Sequence, residues 1–235
     1  MRIPVLMYHS VEPASEDYLT VGVARFQEHM RYIKDNASVC SAEECAKAVR
    51  QHGTIADRPV VVTFDDGFKT VLQYAAPVLD ALGLTATIFP VAGMLGKDNS
   101  WDHKAYRILP HLDAGEIRSL AQAGMEIGSH TMTHQRVTKL DDGVLDWELS
   151  EADRVLAAIT GYLPKVFAYP YGGEDARCSE RCEARYAASF ATVHSGVFDW
   201  EENFGAIRRI YVSPADDTAA LARKIECYRN GVQHG

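Results

Sequence analysis

The sequence lacks the features that direct a chain to a membrane or to nucleic acid. Its 235 residues contain no apolar run approaching the roughly 20 residues that a transmembrane helix needs. Basic residues form no cluster, and the formal net charge is −8. We therefore predict no membrane span and no nucleic-acid partner. The first residues, with one basic residue and a short apolar run, do not resemble a signal peptide, so a cytoplasmic location is expected.

Cysteine and glycine-rich phosphate loops are also scarce. Five cysteines, an odd number without a tight spacing framework, argue against a secreted domain built on disulfides. Cys178 and Cys182 share one face of a predicted helix, which suits either a metal site or two reduced, partly buried thiols, and we favour the thiols. No G-x-G-x-x-G follows a predicted strand, so nothing favours a dinucleotide-binding sheet.

Strand and helix patterns alternate along the whole chain, and its composition, 47% hydrophobic and 24% charged, allows a sizeable core. The alternation predicts parallel βα units in a single α/β domain over residues 1–235. About seven strands suit a closed or nearly closed barrel, with an open doubly wound sheet as the alternative. The predicted strands are 5–9, 60–64, 85–91, 125–129, 166–169, 190–193 and 207–212, and the predicted helices are 26–36, 41–51, 71–82, 114–123, 140–160, 174–188 and 215–228.

Two adjacent aspartates follow the apolar strand at 60–64. Asp65 and Asp66 repel each other at the end of a buried strand unless a positive charge lies beside them, and a metal ion is the simplest source of that charge. One carboxylate would bind the ion, and the other would act as a base on water. The alternative is a helix N-cap aspartate with a solvated neighbour.

Two histidines four residues apart follow the predicted strand at 125–129. If the segment formed one helical turn, His130 and His134 would share a face, and neutral imidazoles there bind zinc together with a carboxylate. A solvated helix face is the alternative for such a pair alone. Because parallel α/β folds build their sites at the carboxyl ends of strands, we predict that the aspartate pair and the histidine pair meet there.

Four segments together resemble the motifs of one enzyme family. They are residues 63–67 (TFDDG), 129–134 (SHTMTH), 167–172 (FAYPYG) and 4–10 (PVLMYHS). These segments are similar to motifs of the polysaccharide deacetylases, the family-four carbohydrate esterases, and particularly to the permuted poly-N-acetylglucosamine deacetylase branch. The resemblance implies a distorted (β/α) barrel of about seven parallel strands. It also implies a metal-dependent hydrolase that removes N-acetyl groups from an amino-sugar glycan or glycan precursor.

The resemblance further assigns roles to individual residues. It implies that Asp66, His130 and His134 bind a divalent metal ion, for which zinc is preferred. It implies that Asp65 is the base that takes a proton from water. The backbone N–H of Tyr171 would donate to the oxyanion that forms on the substrate carbonyl.

Two positions depart from the family pattern. Ala168 stands where most relatives have an arginine beside the base, and Arg209 in a late strand is the predicted substitute, with a surface arginine as the alternative. A C-terminal Leu-x-His motif is missing, since His234 lies alone in a polar tail. His9 is the predicted general acid, because the first and last strands of a barrel are neighbours. A histidine that only caps the strand end is the alternative.

Two other functions stay open at this point. An O-acetyl sugar esterase would use the same attack by water with a different leaving group. A non-catalytic carbohydrate-binding protein is less favoured, because loss of function usually removes site residues first and all of them are present. The loop at 92–103 follows a strand, and its Trp101 either stacks on a sugar ring or anchors the loop to the core.

Overall fold

The computed structural model describes residues 1–14, 17–102, 107–192 and 194–232. The strands are β1 (Val5–Tyr8), β2 (Ser10–Glu12), β3 (Thr20–Gly22), β4 (Ser38–Val39), β5 (Pro59–Asp66), β6 (Thr87–Pro90), β7 (Glu126–Ile127), β8 (Val166–Ala168), β9 (Ala188–Phe190) and β10 (Ile210–Tyr211). The α-helices are α1 (Val23–Asn36), α2 (Ala42–Arg50), α3 (Ala76–Leu82), α4 (Ala114–Gln122), α5 (Asp142–Thr160), α6 (Ala176–Arg185) and α7 (Thr218–Arg229). Within the described ranges, no helix combines the length and apolar character that crossing a bilayer requires.

The main strands are parallel and curve into a distorted barrel. Ladders give the order β10-β1-β5-β6-β7, with β4 also on β5, and a separate ladder joins β8 to β9. Single parallel bridges, Ser129 with Phe167 and Phe190 with Ile207, continue the pairing from β7 to β8 and from β9 to the chain entering β10. Leaving aside β4 and the separate pair β2 and β3, the described strands therefore run around the barrel in chain order, from β1 through β5, β6, β7, β8 and β9 to β10, which again lies beside β1. This order confirms the predicted α/β barrel and excludes the doubly wound alternative.

Strand β5 is buried on both faces, as expected for a central parallel strand. Val60, Val62 and Phe64 pack in the core cluster between the sheet and the outer helices. Val61 points the other way, into the cluster that fills the barrel. Because side chains alternate along a strand, Asp65 points to the same side as Val61, toward the barrel interior. The strand thus delivers a carboxylate into the barrel as it ends.

Some predicted strands are shorter or displaced. The strand predicted at 125–129 is regular only over the two residues of β7, with an isolated bridge at Ser129 beyond it. The strand predicted at 190–193 is β9, which begins two residues earlier, and Val193 lies outside the described residues. These short elements are defined by pairing with neighbours distant in sequence, which a local apolar pattern does not locate.

Two predicted helices also differ at an end. The helix predicted at 174–188 ends early, because Tyr186 leaves it with an extended backbone and buries a ring whose hydroxyl donates to Asp153 at 3.0 Å. The helix predicted from Val71 begins with a π-helical turn. Pro77 lies just beyond that turn and has no N–H for a bond to the preceding turn, which explains the wider winding.

The cysteines behave differently from one another. Cys40 and Cys45 form a disulfide pair at the start of α2, a pairing that the sequence did not predict. Cys178 and Cys182 are free, as predicted, but fully rather than partly buried. Burial raises the pKa of the Cys178 thiol to about 11 and that of Cys182 to about 12. Both thiols are therefore protonated near neutral pH and serve as core residues.

Candidate active site

Asp66, His130 and His134 converge at the carboxyl end of the sheet, as the sequence predicted. Asp66 ends β5, and both histidines follow β7. Asp66 Oδ1 lies 3.2 Å from His134 Nε2 and 3.5 Å from His130 Nε2, and all three side chains are buried. One ligand atom from each lies within 4.8 Å of the other two. One carboxylate and two imidazoles form a donor set that suits zinc and similar divalent ions.

The orientation of His130 is fixed by the neighbouring strand. Its Nδ1 lies 2.7 Å from the carbonyl oxygen of Ala168 at the end of β8. Because a carbonyl only accepts, Nδ1 carries the proton and Nε2 presents its lone pair to the Asp66 carboxylate. Two lone-pair-bearing atoms facing each other in a buried site are stabilised by a cation between them, so this geometry fits a metal ion.

The histidine pair does not lie on a helical turn, contrary to the sequence prediction. Residues 130–134 form an irregular turn in which Thr131 has a φ of 67° and His134 a φ of 60°. The hydroxyl of Thr131 accepts the N–H of His134 at 3.0 Å. Left-handed backbone at two non-glycine residues, rather than helical periodicity, brings both Nε2 atoms to Asp66.

A buried carboxylate of α5 holds this turn in place, and sequence reasoning missed it. Glu148 is fully buried and accepts the N–H groups of Met132 and Thr133 at 2.8 and 2.9 Å. It also accepts the hydroxyl of Thr133 and, at 3.2 Å, the side-chain amide of Gln135. Four donors converge on one carboxylate, so the turn between the two histidines is tied to the helix behind it. The available signal was an acidic residue flanked by Leu149 and by apolar neighbours on the buried helix face.

Arg209 lies against Asp65 inside the barrel. Its guanidinium makes a bidentate salt bridge with the carboxylate, with N–O distances of 2.7 Å to Oδ1 and 2.6 Å to Oδ2. It also donates to the Thr63 hydroxyl at 3.2 Å and to the Ala191 carbonyl at 2.8 Å, and only 1% of the residue is exposed. Arg209 thus occupies the position required for its predicted role, and the alternative of a surface arginine is wrong.

The two aspartates are both held ionised, by different neighbours. Burial disfavours a charged Asp65, but the Arg209 guanidinium overcomes this cost and the pKa of Asp65 is lowered. Burial likewise opposes charge on Asp66, but its contacts with the imidazoles of His130 and His134 bring its pKa well below the usual value. Asp65 therefore has a cationic partner of its own and stays free of the histidine cluster.

His9 follows β1 and lines the same cavity as Asp65 and Asp66. Burial lowers its pKa from the ordinary value of 6.5, although the two aspartates act in the opposite direction. No described residue hydrogen-bonds its Nδ1, so the structure offers no support at that atom for a histidine that only caps the strand. His234, the other histidine that the sequence analysis weighed, lies outside the described residues.

Tyr171 adopts a left-handed backbone with a φ of 56° in the turn after β8. Its ring packs on that of His134, with centroids 4.6 Å apart, and its side chain reaches the cavity. Among the described non-glycine residues six have a positive φ, and four of them, Tyr171, Asp66, Thr131 and His134, belong to this site. Backbone strain concentrated in this way is typical of a functional site whose surroundings enforce its geometry.

A cavity of about 450 Å³ opens above these residues. Trp101 lines it and also packs on the rings of His111 and His134, at centroid distances of 4.9 and 5.1 Å. The indole is therefore held by aromatic contacts and also faces the cavity, and its stacking on a sugar ring stays a prediction. Buried His111, between Trp101 and Phe68, is a site neighbour that the sequence analysis did not single out.

Comparisons with known proteins agree on one family. The family model described as polysaccharide deacetylase matches residues 52–187. The inferred polysaccharide deacetylase YxkH of Bacillus subtilis (strain 168) is 27% identical over 226 residues, which cover 96% of this chain and 76% of YxkH. The poly-beta-1,6-N-acetyl-D-glucosamine N-deacetylase of Staphylococcus aureus (strain MSSA476) is 21% identical over 162 residues. That match covers 65% of this chain, which spans only about half (54%) of the staphylococcal protein.

Solved structures support the same fold. The Streptococcus pyogenes deacetylase PplD, in complex with acetate, superposes with a TM-score of 0.82 at 20% identity, covering 96% of this chain and 98% of PplD. IcaB from Ammonifex degensii gives a TM-score of 0.77 at 21% identity, covering 96% of this chain and 97% of IcaB. The family model matches more than half of the sequence, and its matched range contains the aspartate pair, both histidines and Tyr171. The chain therefore belongs to the polysaccharide deacetylase family.

Proposed function

We propose that this chain is a metal-dependent hydrolase that removes N-acetyl groups from an amino-sugar glycan or glycan precursor. The observation that carries the proposal is the buried Asp65–Arg209 ion pair beside the Asp66, His130 and His134 cluster. A protein that only binds carbohydrate does not need a second, separately charge-compensated carboxylate next to a metal-type cluster. Hydrolysis needs it as a base.

Asp66, His130 and His134 would hold the metal ion, with zinc as the preferred ion. Such an ion, when bound, polarises a carbonyl and lowers the pKa of water to about 7. The donor set and the His130 lone pair directed at Asp66 support this assignment. Asp66 is ionised, as a ligand must be, because its pKa lies well below the usual value.

Asp65 would act as the base that accepts a proton from the attacking water. Its lowered pKa keeps it ionised, and the two-pronged contact with Arg209 fixes the direction of the carboxylate. Arg209 touches Asp65 and, in this arrangement, acts through it as a positioning residue. Arg209 thereby takes the place of the arginine that most relatives have at the position of Ala168.

His9 and Tyr171 would complete the reaction. His9 would protonate the leaving amine as the C–N bond breaks, and its lowered pKa makes the protonated ring a readier donor. Tyr171 lines the cavity from a left-handed turn, and its peptide N–H would donate to the oxyanion on the acetyl carbon. The base, the general acid and the oxyanion donor would thus be three different residues, each acting on a different atom of the reactants.

The choice of an N-acetylated substrate is supported by the name of the staphylococcal relative, a poly-beta-1,6-N-acetyl-D-glucosamine N-deacetylase. The cavity adds an aromatic wall, Trp101 and Tyr171, of the kind that packs on sugar rings. The cytoplasmic location expected from the sequence stays a prediction, and such a location would favour a precursor over a finished polymer.

Acetate release tests the proposal. The purified chain, stripped of metal and reloaded with zinc, is expected to release acetate from β-1,6- or β-1,4-linked N-acetylglucosamine oligomers. His134→Ala is expected to lose both the metal and the activity while keeping its fold. Full metal occupancy in that variant would overturn the metal assignment. Acetate release from O-acetylated sugars alone would replace the proposal with a sugar O-esterase.

A further inference from the structure

A second depression continues from the cavity above the metal-type cluster. It encloses about 530 Å³ and shares Trp101, His134, Arg136 and Tyr171 with the first cavity. The remaining lining comes from the residues on either side of His134, Thr133 and Gln135, and from Lys139 and Leu140. We call this depression the side groove. Because the two share a wall, a chain of sugars with one residue at the cluster has a path into the side groove.

The side groove carries positive charge in an otherwise acidic protein. Arg136 and Lys139 are exposed along it, and no ion pair to either is found among the described residues. Nearby arginines behave differently, since Arg177 and Arg181 are both paired with Asp142. The formal net charge is −8, so two cations without carboxylate partners beside the site are a local reversal of sign.

The guanidinium of Arg136 is held in place by an aromatic face. It lies 4.2 Å from the ring centroid of Tyr171, which also packs on the ring of His134. A stacked guanidinium keeps its edge N–H groups free to bind a carboxylate or phosphate. The stack therefore holds a cation in the lining that the side groove shares with the first cavity.

Resting on the proposed function, we propose that the side groove is a subsite for an anionic group, a carboxylate or a phosphate, on the sugar next to the N-acetylated residue. Arg136 binds the anion, Lys139 adds charge, and Trp101 and Tyr171 flank the sugar ring. The substrate class becomes an N-acetylated glycan with a negative substituent on a neighbouring residue.

Binding measurements test this proposal without depending on turnover. Asp65→Asn, expected to be inactive but folded and metal-loaded, is titrated with three N-acetylglucosamine tetramers: neutral, oxidised to the C6 carboxylate on one residue, and phosphorylated at C6 of one residue. We expect at least one charged tetramer to bind about tenfold tighter than the neutral one, as two exposed ion pairs allow, with the advantage shrinking at high salt. The stronger of the two identifies the anion.

Two further variants on the same background locate the effect. Arg136→Gln with Lys139→Gln is expected to bring the charged-to-neutral ratio close to one. Arg31→Gln, which removes an exposed cation of α1 far from the site, is expected to keep the ratio. Equal binding of all three tetramers, or a ratio unchanged in the double variant, would overturn the proposal. If the chain without the Asp65→Asn substitution released no acetate, that result would count against the proposed function alone.

Discussion

Asp65 and Asp66 are adjacent in the chain, yet their surroundings give them different chemistry. Asp65 follows the alternation of β5 into the barrel and meets Arg209. Asp66 has a φ of 66°, which turns it out of the strand direction toward the two histidines. Aspartate accepts this backbone more readily than most residues other than glycine and asparagine. One carboxylate is thereby paired with a guanidinium, and the other faces the two imidazoles.

The first residue-scale prediction concerns Asp65. Asp65→Asn keeps the size of the side chain but removes the proton acceptor, so we expect kcat to fall by about two to four orders of magnitude. Metal content, measured by elemental analysis, is expected to be unchanged, because Asp65 is not among the clustered ligands. A variant that loses its metal but regains a normal rate on metal addition would exchange the roles of Asp65 and Asp66.

A second prediction concerns the pH dependence that Arg209 imposes. Because the guanidinium lowers the pKa of Asp65, Arg209→Met raises that pKa, and the base is ionised only at higher pH. In the pH profile of kcat/KM, measured at saturating metal, the acidic limb is expected to shift to higher pH by about one to three units. Arg209→Lys, which keeps the charge but loses the fork, is the matched control and should shift the limb less. An unmoved limb in Arg209→Met would contradict the assignment.

Sequence reasoning reached the site residues to different degrees. Asp65, Asp66 and both histidines were readable because each pair is compact in sequence and follows an apolar strand. Arg209 was found only through the family resemblance, since nothing near it in sequence marks it as the partner of Asp65. The left-handed backbone of Tyr171 was not predicted, because tertiary contacts rather than local preference enforce it.

At the scale of elements, the turn between the histidines depends on α5. Glu148→Ala removes the acceptor of four hydrogen bonds, so the turn between the histidines loses its attachment to α5. We therefore expect zinc affinity to fall about 10–100-fold, which is the usual effect of removing residues that support metal ligands. Competition with a chromogenic chelator measures this. Glu151→Ala, on the same helix but paired only with Arg154, is the control and is expected to keep wild-type affinity.

Glu148→Gln separates support of the turn from general stability. Glutamine fills the same space, but one of its two oxygens becomes a donor facing N–H and hydroxyl groups. We expect Glu148→Gln to bind zinc more weakly while the melting temperature of the metal-free protein changes little. A loss of zinc affinity without a matching loss of stability would show that Glu148 supports the ligands. Loss of melting temperature with unchanged zinc affinity would make Glu148 a core residue without influence on the ligands.

Helix α2 is docked on the sheet through Glu126 of β7. The carboxylate accepts the N–H groups of Ala42 and Glu43 at 2.9 Å each and the hydroxyl of Thr87. Burial raises the pKa of Glu126 to about 7, although these three donors act to lower it. A folded-state pKa above the ordinary value of 4.5 means that folding takes up a proton between these two pH values.

The resulting prediction is a pH-dependent stability. As pH rises from about 4.5 to about 7, the folded protein is expected to lose free energy of unfolding relative to Glu126→Gln, which cannot ionise. For a residue that remains partly exposed, we expect this relative loss to be about 1–3 kcal/mol. Urea unfolding of both proteins at pH 5 and pH 8 measures it. A constant difference between the two proteins would show that Glu126 does not titrate in this range.

Element prediction succeeded where the signal is local. The helix predicted at 41–51 is α2, which begins in a capping box of Ser41 and Glu44, and the helices predicted to end at 82 and 160 are followed by Gly83 and Gly161, both with positive φ. The short strands β7 and β10 were overestimated, because their ends depend on which neighbour supplies the pairing. The small pair β2 and β3 was missed for the same reason.

At the scale of the whole molecule, strand order brings the two ends of the chain to the site. β1 lies between β10 and β5, with Leu6 beside both Ile210 and Val62. His9 follows β1, Arg209 precedes β10 and Asp65 lies in β5, so three adjacent strands bring together residues that are far apart in sequence. His9 therefore follows a strand that borders the last described one, as its predicted role as the general acid requires.

His9→Ala tests this placement. Turnover of an N-acetyl substrate is expected to fall about 10²–10⁴-fold, because the amine cannot leave unprotonated. An activated acetate ester, such as 4-nitrophenyl acetate, has a leaving group that departs without a proton and is expected to lose much less. Zinc content should not change. Equal losses on both substrates would indicate that His9 has a structural role.

The ion pair that holds the base also sets when activity first appears during biosynthesis. Asp65 and Arg209 are 144 residues apart, and β10, which follows Arg209, is the last described strand in sequence. A ribosome must therefore have synthesised the chain through Arg209 before Asp65 acquires its partner, even though the aspartates and both histidines emerge much earlier. Nascent intermediates can gather the histidine cluster without hydrolysing anything. Recovery of activity on refolding would accordingly report completion of the barrel, later than any signal from its secondary structure.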